Sequence, residues 1–495
     1  MRFLPLFSLL PLACAFFIPL CRSRKYAAGI LAQACASVLL FLALFLAARI
    51  GGQKVFVYQA GGWQFPLGIT LVVDGLANLM LLAVNLVALL ALVYSTAYIR
   101  RYTGPWKFYC LFMLMLAGLN GVVISGDIFN LYVFLEMASL SAYGLVAFGA
   151  QAQDLEAAFK YLVMGVLASV FILLGIAFTY GYPSSLAIAD IANLLAARPG
   201  GLITGFIAAL FFAGFGLKAA LMPFHGWLAD AHSSAPAPVS AALSGVFIKS
   251  LGLYALARIF FNMLGVSAGV SAALFVTAVV SICLGDLLAL GQQDIKRMFA
   301  YSSISHVGYI AFAFAVGTPL ALLGGLLHLF NHAVFKSLLF LNAGAIEYAT
   351  GTRQLNRLGG LDKQMPFTRA CALAGVLCIS GIPPFAGFWG KLIVILAAAQ
   401  AGYVYPALLA VLASIITLAY ALRFYTRVFL GPANSGAPAV KEVPVTMKAA
   451  MLALAAISLC AGLLVLPYFR GFFAQAASNL AGRENYIRLI SGAVK

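Results

Sequence analysis

Leu217-Lys218-Ala219-Ala220-Leu221-Met222-Pro223-Phe224-His225-Gly226-Trp227-Leu228-Ala229-Asp230-Ala231-His232 is the stretch on which the fold turns, and it leads into Ser-Ser-Ala-Pro236-Ala-Pro238. A lysine sits inside an apolar helical pattern, and a proline five residues later interrupts that helix. Two histidines, an aspartate and a proline-rich turn then open a second apolar helix that carries Lys249. Hydrocarbon tolerates neither a lone charge nor an unsatisfied backbone, so a lysine beside a helix break implies a wet cavity or an ion path. Ser380-Gly381-Ile382-Pro383-Pro384-Phe385-Ala386-Gly387-Phe388-Trp389-Gly390-Lys391 repeats the device, with Pro384-Phe385-Ala386-Gly387-Phe388 standing 161 residues after Pro223-Phe224-His225-Gly226-Trp227. Two interrupted helices in corresponding halves are the sequence pointer to a transport site.

Working outward, the chain has 495 residues, of which 64% are hydrophobic and 9% charged. A soluble domain of this size cannot hide that much apolar surface, so the composition implies a polytopic membrane protein. The net charge of +17 is scattered through short loops rather than gathered on an aromatic-laced patch, which argues against nucleic acid as a partner. Eight cysteines stand singly in apolar segments without a C-x-x-C pair, so no cluster, zinc or disulfide framework is expected. At the N-terminus the basic cluster Arg22-Ser23-Arg24-Lys25 follows the apolar run instead of preceding it. That order predicts a retained first helix rather than a signal peptide.

Apolar runs of helical length fall at 3–20, 27–49, 67–98, 106–125, 128–149, 157–180, 201–223, 236–262, 267–290, 297–316, 319–348, 368–400, 404–430 and 446–468. Each approaches or exceeds the ~20 residues that cross ~30 Å of hydrocarbon. The expected fold is therefore all-α and integral to the membrane, with fourteen spans, two of them interrupted. The odd-numbered connections collect the basic residues, among them Arg22, Arg24, Lys25, Arg100, Arg101, Lys107, Lys160, Lys296, Arg297, Arg353, Arg357 and Arg427. The other side holds mainly Lys54, Arg198, Arg258 and the C-terminal arginines. The positive-inside rule then puts both termini on the outer face. With this topology the seventh and twelfth runs, the interrupted ones, are antiparallel, as an inverted repeat requires.

Few charges lie within the runs. Glu136 is about two turns into the fifth, and burial and a nearby ammonium would pull its acidity in opposite directions. A static ion pair between helices is the bland reading, and a place on an ion path is the favoured one. Lys218 and Lys249 can release a proton when desolvated, which an arginine cannot. A Glu136–Lys218 pair would titrate as a unit. Snorkelling is the alternative for lysines near helix ends, but Lys249 lies mid-run. His328, His332 and Lys336 recur every four residues in the eleventh run and share one face. Histidine suits a proton relay, whereas Lys336 on that face would repel a metal ion. Glu347 lies further along the same helix, and Lys391 closes the series behind the second break. His306, in Tyr301-Ser-Ser-Ile-Ser-His306-Val-Gly-Tyr309, is either a hydrated-path residue or a bonded core histidine. Asp74 and Asp127 read equally as helix caps, and Asp294, Lys296 and Arg297 as an ordinary solvated loop.

The segments Gly126-Asp127-Ile-Phe-Asn-Leu-Tyr-Val-Phe-Leu-Glu136, Leu217 to His232, Ala237-Pro238-Val-Ser240, Asp294 to Tyr309, Asn331-His332-Ala-Val-Phe335-Lys336-Ser-Leu-Leu-Phe340 and Gly381-Ile-Pro383-Pro384 run in one order through residues 70–430. In that order the chain resembles the antiporter-like subunits shared by respiratory complex I, Mrp cation/proton antiporters and membrane-bound hydrogenases. Phe335-Lys336-Ser337 and Ala349-Thr-Gly-Thr-Arg353 are most similar to the D-type Mrp subunit and its hydrogenase relatives. The resemblance implies N-terminal helices in 1–105, two inverted five-helix repeats in 106–262 and 267–430, and a final helix and tail in 446–495. It implies proton translocation, or sodium-for-proton exchange, along Glu136, Lys218, Lys249, His328, His332, Lys336 and Lys391. Some members carry glutamate where Lys391 stands. The implied role is a non-catalytic ion-pumping subunit of a prokaryotic plasma-membrane complex, with other membrane subunits as partners and no cofactor or metal of its own. A stand-alone transporter of a small solute and a passive scaffold are the competing readings. The row of buried ionisable groups argues against the scaffold.

Overall fold

The computed structural model describes residues 2–24, 26–50, 55–197, 201–432, 440–465 and 467–494. Lys25, Lys54 and Arg198, three of the residues used to orient the chain, lie outside them. The described chain is almost wholly helical. Helices α1 (Leu6–Phe17), α2 (Ala27–Arg49) and α3 (Gly75–Tyr98) precede α4 (Pro105–Ile124), α5 (Ile128–Val146) and α6 (Ala152–Gly181). A short α7 (Ile188–Ala197) leads to α8 (Leu202–Ala219) and α9 (Leu228–Ser234), the two halves of the first interrupted helix. Next come α10 (Ala237–Leu264), α11 (Ala268–Leu290), α12 (Ile295–Val316) and α13 (Pro319–Thr350). The second interrupted helix follows as α14 (Pro366–Ser380) and α15 (Ala386–Gln400). After it stand α16 (Val404–Leu430), α17 (Val445–Cys460), α18 (Pro467–Ala481) and α19 (Arg483–Val494).

Among the described residues twelve helices are long and apolar enough to cross a membrane. The shorter Leu6–Cys21 and the divided pair α14/α15 bring the spanning elements to the fourteen expected. Two boundaries differ from the apolar runs. The run 67–98 contains a strand, β2 (Thr70–Val73), which pairs antiparallel with β1 (Phe56–Gln59); the helix starts only after Asp74, whose carboxylate accepts from Ala77 N at 2.8 Å. The tail after 466 is not a loose end but two helices, and α18 packs on α3 and α13.

The apolar surface is sorted by what covers it. Helix α13 is the hub, packed against α3, α10, α12, α14, α15, α17 and α18, and most of its length is buried. Every residue of α10 is buried. In contrast, α2, α6, α11 and α16 each keep a face of exposed leucine, valine and phenylalanine, the surface that lipid or a neighbouring membrane protein must cover. Helix α10 is wound as a π-helix over Leu243–Tyr254 and again over Arg258–Leu264. Sequence periodicity carries no sign of this, because the wider turn hardly disturbs a mostly apolar pattern.

Two expectations are corrected. Arg258 is not a loop residue: it is buried inside α10 and clasps Asp74, donating Nη1 to Oδ2 at 2.8 Å and Nη2 to Oδ1. Asp294, Lys296 and Arg297 are not a solvated loop: Asp294 is 8% exposed and caps α12, accepting from Arg297 N at 3.0 Å, and Lys296 is 1% exposed and donates to the carbonyls of Ser233 and Ala235 at the end of α9. Arg353 joins it there, donating to Ser233 O at 2.5 Å while pairing with Asp294 at 3.1 Å and Glu347 at 3.7 Å. The carbonyls at a helix C-terminus attract cations, which explains why two basic side chains fold inward here.

Candidate functional site

Both breaks are built alike. Helix α8 ends on Ala220 in a left-handed conformation (φ 55°), and α14 ends on Gly381 (φ 73°). Helices commonly stop this way, although a non-glycine residue such as Ala220 bears a strain of roughly 1 kcal/mol. The ends leave carbonyls without helical partners. Leu217 O accepts from the Trp227 indole at 3.1 Å, and Ile379 O accepts from the Lys391 ammonium at 3.0 Å. Lys218 lies in the last turn of α8. Each break therefore places a lysine where the helix dipole favours positive charge.

The Lys218 ammonium is 3.8 Å from the Glu136 carboxylate and donates to Ser139 at 3.0 Å. Ser169, on α6, donates to the same Glu136 oxygen. Lys218 is almost fully enclosed, while the Glu136 side chain keeps 25% of its surface open on the outer side of α5. Across from this pair, Gly252 lets α10 come up against the end of α8; a Cβ at Gly252 would collide with the backbone of Ala219.

Lys249 lies wholly buried in the π-wound part of α10 and donates to Ser244 O. The Ser244 hydroxyl meets Ser303 at 2.7 Å, and the neighbouring Ser302 accepts from Lys336. A short serine bridge thus joins α10, α12 and α13. Above it three imidazoles stack: His306 lies 4.9 Å from His332 and 5.2 Å from His328 between ring centroids, and His306 Nδ1 is 3.0 Å from His328 Nε2. His306 Nε2, His328 Nδ1 and both nitrogens of His332 have no hydrogen-bond partner among the described residues, leaving donor and acceptor positions for water or an incoming proton. Lys249, Lys336 and Lys391 all act on this cluster electrostatically. Lys391 also sits over the Tyr309 ring at 5.2 Å.

Six of the seven expected site residues are therefore enclosed in the bundle, Glu136 lies at its edge with a quarter of its side chain open, and His306 joins the enclosed group. Asp74 and Asp127 are helix caps, as one of their two readings had it, with Asp127 accepting from Asn130 N at 2.7 Å. Among the described residues no group of three His, Cys, Asp or Glu side chains, the stacked imidazoles included, is arranged to hold a metal ion. Two buried groups were passed over. His232, quoted only as part of the opening motif, is fully enclosed with neither ring nitrogen bonded among the described residues. Asp286 on α11 is equally enclosed and accepts from Thr417 at 3.0 Å and Tyr420 at 3.2 Å. An acidic residue one turn from the end of an apolar run was the available signal.

Residues 125–417 match the family model described as "NADH:quinone oxidoreductase/Mrp antiporter, TM", and residues 59–109 match "NADH-Ubiquinone oxidoreductase (complex I), chain 5 N-terminus". The chain is 39% identical to NADH-quinone oxidoreductase subunit N of Desulforudis audaxviator, over 85% of each chain. It is 31% identical to the D-type subunit of the Na(+)/H(+) antiporter of Alkalihalophilus pseudofirmus, over 79% of this chain and 80% of that one. A chain in the structure of the Mrp complex from a Dietzia species superposes with a TM-score of 0.93 at 28% identity, covering 99% of both. The chain belongs to the NADH:quinone oxidoreductase/Mrp antiporter transmembrane family, an antiporter-like membrane subunit akin to those of multisubunit complexes.

Proposed function

We propose that this subunit carries protons, exchanged for sodium where the host complex is an antiporter, along Glu136, Lys218, Lys249, the His328/His332 pair with Lys336, and Lys391. The observation that carries the reading is the Glu136–Lys218 pair at 3.8 Å beside a broken helix. Closed, the pair stabilises the charged lysine; opened, Lys218 is left desolvated and gives up its proton toward Lys249 on the helix packed against it. The serine bridge and the stacked imidazoles support the onward route to Lys391, since hydroxyls and histidines both donate and accept. The alike breaks, Lys218 with Ala220 and Lys391 with Gly381, support residues 106–262 and 267–430 as two inverted repeats. The basic connections support both termini outside, and the bacterial relatives support a prokaryotic plasma membrane.

Glu136 also bears on partners. A carboxylate a quarter open on a face that exposes Phe129, Val133 and Leu140 is costly against lipid, which supports a neighbouring subunit covering it.

The test uses vesicles from cells expressing the chain with the subunits encoded beside it. Glu136→Gln and Lys218→Ala are expected to leave the complex assembled on a native gel while cutting cation- or redox-driven proton movement about 100-fold, the scale of a lost proton-transfer group. Unchanged transport in both assembled variants refutes the reading. Solute uptake by the purified chain alone would favour the stand-alone transporter instead.

A further inference from the structure

Asp286 is a buried ionisable group that this path leaves unused. It sits one turn before the end of α11, 0% exposed, and forms no ion pair among the described residues. Both of its bonds come from one face of α16, where Thr417 and Tyr420 stand three residues apart, with Ser414 and Arg423 one turn to either side. The Ser414 hydroxyl lies 2.9 Å from the Tyr309 hydroxyl, beneath Lys391. Thr417 and Tyr420 hold Asp286. Arg423 donates to Gln292 O at 2.7 Å at the α11–α12 turn. From the α12 side Ser305 faces the same carboxylate, and its backbone is close enough to Gly285 that a Cβ there would stand 2.6 Å from Ser305 N. Lys391 and Lys336 are the charged groups whose fields reach Asp286.

Hydrogen bonding alone calls for an acceptor here but not for an ionisable one. The Thr417 hydroxyl already has Ala413 O within 3.0 Å, and the buried Tyr420 hydroxyl needs only an acceptor at 286, which a neutral amide would also supply. Burying an acid among neutral hydroxyls is unfavourable unless its charge or its proton is used.

We infer that Asp286 is a second proton-carrying carboxylate, linking Lys391 to the membrane surface at the α11–α12 turn along the hydroxyl-lined α11–α16 seam. The Lys391 ammonium gives up one proton and becomes an amine. Asp286 takes that proton and becomes a neutral acid, then releases it to water at the end that carries Arg297 and Arg353, the side assigned to the cytoplasm. The steps are reversible and run either way. The inference rests on the proposed reading of the axis, with Asp286 serving Lys391 much as Glu136 serves Lys218.

The experiment compares Asp286→Asn, Asp286→Glu and Glu136→Gln in the assembled complex, with proton movement in vesicles measured across the active pH range. Asp286→Asn is expected to slow transport about 100-fold, and Asp286→Glu to restore most of it with a displaced pH profile, a result that a purely structural hydrogen bond would not give. Should Asp286→Asn fail to assemble, the double variant Thr417→Val with Tyr420→Phe keeps the carboxylate and is expected to shift the pH profile and slow transport severalfold. Wild-type rate and profile in Asp286→Asn, or in that double variant, overturn the inference. Glu136→Gln separates the two claims. If it is inactive while Asp286→Asn is normal, only the role of Asp286 falls; if it too is normal, the axis falls with it.

Discussion

The Lys249 ammonium is enclosed on every side and donates to a backbone carbonyl, with no ion pair among the described residues. A buried cation without a counter-charge is held at a cost of several kcal/mol, and lysine can relieve that cost by losing its proton whereas arginine cannot. Lys249→Arg is therefore expected to assemble poorly or, where assembled, to reduce proton movement in vesicles about 100-fold; retained transport would mean that the charge at this site need never be released. The serine bridge makes a milder prediction. Ser303→Ala removes the hydroxyl opposite Ser244, a net loss of about 1 kcal/mol, and is expected to slow transport about fivefold without changing the amount of complex. At this scale the sequence marked the charges within apolar runs at Glu136, Lys218, Lys249 and Lys391, though not Asp286, which lies in such a run as well. It was not legible at Ser244, Ser302 and Ser303, because serine is common in membrane helices and only the fold decides which hydroxyls meet.

At the scale of elements, two glycines set how closely the broken helices approach their neighbours. Gly252 brings α10 to the end of α8, and Gly390 brings α15 onto α13, where a Cβ would stand 2.9 Å from His328 Cα and 3.0 Å from its Nδ1. Gly390→Val must push α15 away from α13, displacing Lys391 from the histidine stack. A thermal denaturation assay in detergent should register destabilisation of about 1–3 kcal/mol, with transport lost alongside; normal stability and transport would show that the two helices have slack. The breaks themselves were readable from Pro223 and from Pro383-Pro384, since proline cannot continue a helix. The π-winding around Lys249 was not, because it depends on how α10 is gripped by α3, α8 and α13 rather than on its own pattern.

The whole molecule is fastened at a distance from the axis. Asp74 at the head of α3 clasps Arg258 of α10, Arg258 also donates to Asn262 and Tyr254, and Asn262 and Gly75 both bond Asn479 of α18. Three helices remote in sequence are thus locked by one buried ion pair. Removing one partner strands the other charge, so Arg258→Ala is expected to cost about 3–5 kcal/mol, visible as loss of folded protein in detergent extracts, while a paired replacement of Asp74 and Arg258 by apolar residues recovers much of it. Equal yields of Arg258→Ala and wild type would mean the clasp carries no stability. The sequence placed Arg258 in a loop because a lone arginine near the end of an apolar run usually reaches for headgroups; its partner stands 184 positions away.

By itself, the sequence determined that the chain crosses the membrane many times, where its helices break, and which few charges remain inside. Those follow from composition and local pattern, because hydrocarbon penalises any charge or backbone group left without a partner. Only the tertiary structure decided which of those charges meet. The stacking of His306 on His328 and His332, the burial of Lys296 beneath α9 and the pairing of Asp286 with α16 depend on helices far apart in the chain, and residue order carries no direct record of such contacts.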